Sequence, residues 1–303
     1  MVTAPLPAPA TLPTPPAVAA LAQQARRVIT PCGGGELVWH VWGEHTGAGA
    51  DADALPLVLL HGGSGSWTHW VRSIGALVHA GRTVWAPDLP GFGDSALPPR
   101  GADADAVVEP LAQGLRQLFG QQPCDLVGFS FGGLAAGLLL AAHPRLARQL
   151  VLVGAPAMGV VPSRQFVLKA WRHLEAPKQL AAHRYNLAAL MLQDAALIDE
   201  DGGLALGLHV ANVLRDRMPR RRLAHTDALA RALPQVPCPV HAIYGATDAL
   251  YRQWIAALQG AYEQATPDFR GLVLIEQAGH WVQFERPEAF HAALLQALDA
   301  GAR

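Results

Sequence analysis

Short runs of apolar residues alternate along the chain with longer segments whose apolar residues recur at helical spacing. Runs of about four to eight apolar residues are typical of buried strands, and the longer segments are typical of helices packed on a sheet. The strand-like runs, several with a polar loop attached, lie at 36–43, 55–63, 82–95, 124–130, 148–156, 237–248 and 269–280. This alternation predicts an α/β fold with a mostly parallel central sheet and helices on both faces.

The alternation is interrupted between 156 and 237, where there are several helical stretches and no convincing buried strand. An insertion after one strand of such a sheet rises from the carboxyl edge, where ligands bind in open α/β folds. We therefore predict a helical lid over 156–237 and a core formed by 26–155 and 238–303. Residues 1–25 are rich in proline and lack a secretory signal, so we expect a flexible, extended tail there, and we expect a surface loop at 46–56.

Composition narrows the classes of partner. Hydrophobic residues make up 51% of the 303, and the formal net charge is -1. No basic stripe could follow a phosphate backbone, so nucleic acid is not an expected partner. The three cysteines, Cys32, Cys124 and Cys238, fit neither a disulfide framework nor a zinc-ligand spacing, which favours a reducing, cytoplasmic location. A homo-oligomer is compatible with the pattern, but nothing in it indicates one.

The least polar stretch, DLVGFSFGGLAAGLLLAAHP at 125–144, allows two interpretations. Its apolar part is slightly shorter than the roughly 20 residues of a membrane span, and GGLAAG could serve as a small-residue motif for helix packing. However, the glycines at 128, 132 and 133 cluster around Ser130, as at a sharp turn between a buried strand and the helix packed on it. We favour the strand and helix, and expect no membrane span.

The turn itself, GFSFG at 128–132, has the GxSxG form. A serine hydroxyl is a weak nucleophile, so it must stand clear of its neighbours and close to a base. Gly128 and Gly132 supply the room for such a turn, and a buried strand before it and an apolar helix after it are the context that the motif requires. We predict that Ser130 is a nucleophile rather than part of a structural glycine-rich turn.

A serine nucleophile needs a base to accept its proton and a carboxylate to hold that base in the right tautomer. Asp248 and His280 each follow a predicted strand, and the carboxyl ends of parallel strands share one edge of the sheet. We therefore predict Ser130, His280 and Asp248 as the catalytic residues, in the chain order of hydrolases. Asp88 and Asp94 could replace Asp248, but they follow an earlier strand and are better explained as holding their own loop.

The negative charge that develops on a reacting carbonyl needs about two preorganised backbone donors. The amide of Phe131, next to the serine, is one predicted donor. The other is Gly63 in LLHGGSGSW, with Ser64 as the neighbouring option, because glycine lets a substrate approach the main chain closely. His61 precedes this loop and is predicted to hydrogen-bond loop backbone rather than to take part in the chemistry.

Four residues beside these positions are candidates for substrate binding: Ser64, His69, Phe129 and Trp281. Aromatic side chains are frequent in cores, yet pockets are lined mainly by such groups, so both roles stay open for the aromatic members. The basic run RDRMPRRR at 215–222 could attract a carboxylate, but a solvated helix end is the favoured interpretation. No two histidines stand at a metal-like spacing with a carboxylate, so no metal site is predicted.

Together, GFSFG, HGG, DLPGFGDS, the YGATDAL loop and GHWVQFERPEAF resemble the α/β-hydrolase fold family in content and order, over nearly the whole chain after the tail. The resemblance implies a serine hydrolase that works through an acyl-enzyme, with Ser130 as nucleophile, His280 as base and then acid, and Asp248 as its orienting partner. It implies no metal and no organic cofactor. A serine at this position argues against the relatives with an aspartate nucleophile, such as haloalkane dehalogenases and epoxide hydrolases.

Three functions on a small-molecule substrate stay open. Hydrolysis of a small carboxylic ester, thioester or lactone ranks first. The GHW motif and the serine are also similar to the carbon-carbon bond hydrolases of ring-fission products, which act on vinylogous diketo acids. Those enzymes usually carry an asparagine where this chain has Phe129, and a lid arginine that grips the substrate carboxylate, for which Arg215 is the nearest candidate. A non-catalytic small-ligand receptor ranks third. A receptor does not need the serine, the histidine and the aspartate, so the presence of all three argues against it.

Overall fold

The computed structural model of the protein describes residues 7–43, 55–218 and 220–300, so most of the loop predicted at 46–56 lies outside the described residues. The described residues form an eight-stranded sheet with the strand order β1-β2-β4-β3-β5-β6-β7-β8. The strands are β1 (Arg26–Cys32), β2 (Gly35–Trp42), β3 (Leu57–Leu60), β4 (Val84–Pro87), β5 (Cys124–Phe129), β6 (Ala147–Val153), β7 (Val240–Gly245) and β8 (Phe269–Ile275).

The sheet is mostly parallel, as predicted. From β4 through β3, β5, β6 and β7 to β8 every neighbouring pair is parallel, whereas β2 is antiparallel to both β1 and β4. The sequence pattern missed β1, because an edge strand with an exposed start and a proline within it gives no continuous apolar run. Pro31 is tolerated there since an edge strand has one side free of a partner.

Helices cover both faces of the sheet. One buried cluster contains the helical residues Leu111 and Leu134, and the other contains the helical residues Leu77 and Leu294. The α-helices are α1 (Pro16–Gln24), α2 (Ile74–His79), α3 (Val108–Phe119), α4 (Phe131–Ala142), α5 (Ala176–Asn186), α6 (Glu200–Leu214), α7 (Ala228–Ala232), α8 (Leu258–Ala265), α9 (Val282–Glu285) and α10 (Pro287–Ala300). Short 3₁₀ turns and the π-helix Leu187–Met191 complete the regular structure of the described residues.

The apolar stretch at 125–144 forms a buried strand and the helix packed on it. Every residue of β5 is buried, and α4 is buried along most of its length, because helices and neighbouring strands cover both. Among the described residues, no helix combines the length and the apolar character needed to cross a membrane.

The segment between β6 and β7, residues 156–237, will be called the insertion. Its described residues contain α5, α6 and α7 and form no strand. Residues 156–175 form no helix either. The division of the chain into a core and a lid stays a prediction.

The amino-terminal segment differs from the extended tail that was expected. Pro16 begins α1, which is possible because the first turn of a helix does not need the N–H that proline lacks. Val18 is buried, and the Leu21 carbonyl accepts a 2.8 Å hydrogen bond from Trp42 Nε1. The Ala10 amide also donates to Gln179 Oε1 of the insertion at 2.7 Å. From residue 7 onward, this segment is therefore part of the folded structure.

Candidate active site

The turn between β5 and α4 holds Ser130 in a strained backbone conformation. Its φ of 51° and ψ of -118° lie where residues with a β-carbon are rare, as at a sharp strand-to-helix turn that exposes a side chain. A β-carbon on Gly128 would lie 2.5 Å from the Gly132 carbonyl oxygen, and one on Gly132 would lie 2.5 Å from the His61 carbonyl oxygen. The two glycines therefore allow the turn, as their spacing predicted.

The structure brings Ser130, His280 and Asp248 into one hydrogen-bonded chain. Ser130 Oγ lies 2.9 Å from His280 Nε2, and His280 Nδ1 lies 2.9 Å from Asp248 Oδ2. Because Asp248 accepts a hydrogen bond from Nδ1–H, the proton of the neutral imidazole stays on Nδ1, and the lone pair on Nε2 can accept the serine hydroxyl proton. His280 and Asp248 are both buried.

The parallel sheet explains why residues so far apart in sequence meet. Ser130 follows β5, Asp248 follows β7 and His280 follows β8, so all three leave the carboxyl ends of strands on the same edge. Gly154, after β6, leaves room for the imidazole, since a β-carbon there would lie 3.2 Å from His280 Nδ1. Asp248 Oδ1 accepts the Leu250 amide at 2.8 Å, which fixes the orientation of the carboxylate.

Backbone donors adjoin the serine on two sides. Phe131 is the first residue of α4, so its amide has no partner within the helix. Gly62 donates its amide to His69 Nδ1 at 3.2 Å, whereas no described residue accepts a hydrogen bond from the Gly63 amide. Gly63 and Ser64 both line the cavity above Ser130, so the amides of Phe131 and Gly63 are available to a ligand there.

His61 and Asp88 hold backbone, in line with the structural interpretations. His61 Nε2 accepts the Leu89 amide at 2.8 Å, so its proton sits on Nδ1 and is donated to the Gly62 carbonyl at 2.7 Å. Burial lowers the pKa of His61, which favours this neutral form. Asp88 accepts the amides of Trp67 at 3.0 Å and Asp94 at 2.8 Å. These bonds of Asp88 hold the loop after β4 in shape and join it to the segment that contains Trp67.

A cavity of about 300 Å³ opens above Ser130 and His280. Three of the four residues predicted to bind substrate, Ser64, His69 and Phe129, line this cavity. Trp281 does not line the cavity, so the prediction for this residue is wrong. Trp281 is 1% exposed, and its ring stacks on that of Phe284 with 4.3 Å between the ring centroids. Its Nε1–H donates to the His69 carbonyl at 3.0 Å. The Trp281 indole is buried because it has both an apolar partner, Phe284, and a hydrogen-bond acceptor, the His69 carbonyl. This hydrogen bond also holds the backbone of His69.

His69 is a neutral hydrogen-bond donor in the cavity wall. Its Nδ1 accepts the Gly62 amide, so the ring proton sits on Nε2. Burial, with the nearby imidazoles of His61, His209 and His280, holds the pKa of His69 well below its ordinary value. A neutral imidazole can offer its N–H to a polar group of a ligand without becoming charged.

Two arginines of the insertion line the cavity and were not predicted to do so. The sequence favours a solvated helix end for the run at 215–222. Within that run, Arg215 is the nearest candidate for a lid arginine that binds a substrate carboxylate. Arg215 instead pairs with Asp94. Arg221 stands in the cavity wall beside Gly63, and donates to Ser64 Oγ at 2.9 Å and to Asp216 Oδ2 at 2.7 Å.

Arg164 is the second lining arginine, and its guanidinium stacks on the Phe166 ring at 4.5 Å. Among the described residues, no aspartate or glutamate lines the cavity. The sequence gave no signal for Arg164, and for Arg221 it gave only the basic run at 215–222, because the packing of the insertion on the sheet edge decides which arginines reach the cavity.

One group of side chains outside the cavity has the composition of a metal site. Within the part of the chain that the structure describes, His40, Asp88 and Asp94 are the one group of three that places ligand atoms within 4.8 Å of one another. The Asp88 oxygens already accept two backbone amides, and Asp94 pairs with Arg215. These partners would compete with a cation for the carboxylate oxygens of Asp88 and Asp94.

Comparison with known proteins places this geometry in context. Residues 57–293 match the model of the "Alpha/beta hydrolase family". A 2-hydroxymuconate semialdehyde hydrolase of Pseudomonas sp. strain CF600 is 29% identical over 259 residues, which cover 78% of this chain and 84% of that protein. A pimeloyl-[acyl-carrier protein] methyl ester esterase of Chromobacterium violaceum is 31% identical over 226 residues, which cover 69% and 76%.

Solved structures share the fold at low identity. A serine hydrolase from the polyaromatic hydrocarbon-degrading bacterium Cycloclasticus zankles superimposes with a TM-score of 0.69 and 23% identity, over 91% of this chain and 98% of that one. A variant of the meta-cleavage product hydrolase CumD gives a TM-score of 0.68 and 20% identity, over 90% and 98%. At these identities, the likeness concerns the fold alone.

Proposed function

The chain belongs to the alpha/beta hydrolase family, and from that premise we propose that it is a serine hydrolase that cleaves small carboxylic esters, thioesters or lactones through an acyl-enzyme. The observation that carries the proposal is His280 bonded to Ser130 on one side and to Asp248 on the other, each at 2.9 Å. This arrangement meets the geometric requirements for activating a serine hydroxyl.

In the proposed reaction, Ser130 Oγ attacks the substrate carbonyl while His280 Nε2 takes the hydroxyl proton. The carbonyl electrons form an oxyanion, which the amides of Phe131 and Gly63 stabilise, with Ser64 as the neighbouring donor. When the tetrahedral intermediate collapses, the alcohol or thiol leaves with the proton from His280. A water then gives a proton to His280 and attacks the acyl group, which releases the acid and restores Ser130. Asp248 keeps the imidazole oriented throughout.

The insertion would act as the lid of this site. Its residues Asn186, Leu190, Met191 and His209 form part of the cavity wall. We propose 156–237 as the lid domain and 26–155 with 238–303 as the core. Substrate contacts would come from Ser64, His69 and Phe129 on the core side.

A hydrolysis screen tests the proposal. Aryl esters of increasing acyl length, lactones and thioesters would be assayed with the wild-type protein, with Ser130→Ala as the blank. We expect ester turnover in the wild type and a loss of several powers of ten in Ser130→Ala. An activated phosphonate should label Ser130 and leave Ser130→Ala unlabelled. A wild type that hydrolyses nothing and takes no label would be an inert receptor, contrary to the proposal.

Carbon-carbon bond hydrolysis of vinylogous diketo acids is the second candidate. Two observations favour it. Arg164 and Arg221 line the cavity and no described aspartate or glutamate does, which suits a substrate carboxylate. In addition, a relative named 2-hydroxymuconate semialdehyde hydrolase matches 78% of this chain. Phe129 argues against carbon-carbon bond hydrolysis, because those enzymes usually carry an asparagine at this position. Turnover of a ring-fission product by a preparation that fails to turn over any aryl ester would reverse the ranking.

A further inference from the structure

The buried carboxylate of Glu285 joins two parts of the chain that meet at the site. Glu285 ends α9, shortly after His280, and is 3% exposed. Its Oε2 accepts the amide of Gly279, the residue before His280, at 2.5 Å. Its Oε1 accepts the amides of Gln193 at 2.7 Å and Asp194 at 3.0 Å, both in the insertion. One side chain therefore fastens the His280 loop to the insertion.

A second bond makes the same connection on the other side of His280. The amide of Trp281, the next residue, donates to the Met191 carbonyl at 2.8 Å. Met191 ends the π-helix Leu187–Met191 and lines the cavity. Trp281 is thus bonded directly to one short stretch of the insertion, and Gly279 is connected to the same stretch through Glu285.

The loop of Asp248 is fastened to the same stretch. The hydroxyl of Thr247, the residue before Asp248, lies 2.8 Å from Gln193 Oε1 and 2.9 Å from the Ala278 carbonyl oxygen. The packing is tight, because a β-carbon on Gly279 would lie 2.8 Å from the Gln193 nitrogen. A shift of the insertion would consequently be passed to both loops.

The charge of Glu285 has no simple packing explanation. No ion pair between Glu285 and a basic side chain is present among the described residues. Three backbone N–H groups hold the carboxylate, and the charge of Arg286 adds a weaker attraction. Burial raises the pKa of the Glu285 carboxyl, against the effect of those three donors. An apolar side chain of similar size would fill the space but leave three amides without an acceptor.

We propose that Glu285 is a positioning residue, which sets the distance from His280 Nε2 to Ser130 Oγ by fastening the His280 loop to the insertion. This inference rests on the proposed serine hydrolase function. The imidazole must keep two hydrogen bonds in line, and a displacement of about 1 Å in such an array can lower the rate by as much as about a hundredfold.

The direct test is Glu285→Gln, which keeps the size of the side chain but puts an NH₂ group, which cannot accept a hydrogen bond, in place of one oxygen. Titration of Ser130 with an activated phosphonate counts the folded, competent sites in each preparation. We expect kcat per titrated site to fall by about ten- to a hundredfold, with KM for a short aryl ester changed by less than about threefold.

Asp125→Asn is the matched control, because Asp125 is also a fully buried carboxylate but lies near the start of β5, at the opposite edge of the sheet from Ser130. We expect it to lower the melting temperature while keeping kcat per titrated site within about twofold of the wild type. A structural effect of burial alone would make the two variants alike.

Thr247→Val supplies a milder, near-isosteric test should Glu285→Gln fail to fold. It removes the contact with Gln193 from an exposed position, and we expect kcat per site to fall by about threefold. In the double variant the two losses should be non-additive, since both act through Gln193. The inference is overturned if Glu285→Gln, or in its absence Thr247→Val, keeps the wild-type kcat per site. A wild type that phosphonate cannot titrate would contradict the proposed function instead.

Discussion

Gly132 packs so closely on His61 that a β-carbon on the glycine would lie 2.5 Å from the histidine carbonyl oxygen. This contact joins the turn of Ser130 to the loop that carries Gly63, and so sets the serine hydroxyl beside the backbone donors. Because both partners are backbone, neither can give way without moving the site.

Gly132→Ala should therefore abolish activity and destabilise the fold by about 1–3 kcal/mol or more, because the added methyl group meets two carbonyl oxygens. Gly75→Ala is the control, since a β-carbon on Gly75 in α2 meets nothing within 4 Å. That change should be neutral or stabilising by up to about 1 kcal/mol, because alanine favours a helix. Urea unfolding and ester assays of both variants would check this, and an active Gly132→Ala would contradict it.

Asp248→Asn should lower kcat by about 10⁴-fold with little loss of stability. The carboxamide can present its NH₂ group to His280, which then holds its proton on the wrong nitrogen to accept one from Ser130. Steady-state kinetics with an aryl ester, beside a circular dichroism spectrum, would measure both effects. A loss of less than tenfold would mean that another group orients the imidazole.

Asp125 forms a buried ion-pair network at the amino-terminal end of β5. Arg148 donates to its two oxygens at 2.9 and 2.8 Å, Gln149 donates at 3.0 Å, and Arg82 also pairs with it. Asp125→Ala should cost about 3–5 kcal/mol, because it leaves cationic groups without their partner. Glu36→Ala, which breaks an exposed pair with Arg27, should cost less than about 1 kcal/mol. Chemical denaturation of both variants would show equal losses if burial did not matter.

Stability should fall as the solution is made acidic, because of a pair of histidines in the insertion. Burial lowers the pKa of His183 to about 4 and that of His209 to about 3, from an ordinary value near 6.5. His183 lies against Trp171 at 4.7 Å, and neither of its ring nitrogens has a partner among the described residues. The folded state thus resists protonation, whereas the unfolded chain takes up protons below pH 6.5.

The stability that depends on neutral histidines is therefore complete above about pH 6.5 and is lost progressively as the pH falls towards 4, by up to about 3 kcal/mol for His183. His183→Phe keeps an aromatic ring against Trp171 and cannot be protonated. We expect its melting temperature to fall less steeply than that of the wild type between pH 6.5 and 4.5. Parallel curves for the two proteins would refute this assignment.

Much of the site could be predicted because the necessary information is local. Ser130, Asp248 and His280 each stand a few residues after an apolar strand, and parallel strands end at one edge. Other features depend on contacts between distant segments. Trp281 was expected to line the cavity but finds its acceptor in the carbonyl of His69, and Glu285 bonds to amides in the insertion that no sequence pattern could indicate.

By itself, the sequence determined the alternation of strands and helices, the glycines of the Ser130 turn, and the edge of the sheet at which Ser130, Asp248 and His280 lie. These follow from hydrophobic periodicity and from the space that a turn allows, which are properties of neighbouring residues. Only the tertiary structure decided that α1 packs on the sheet, that Arg221 rather than Arg215 stands in the cavity wall, and that the His280 loop is fastened to the insertion. The physical reason is that the burial and pairing of a long side chain depend on which surfaces meet. Those surfaces belong to segments that are distant in sequence, so only their packing decides the outcome.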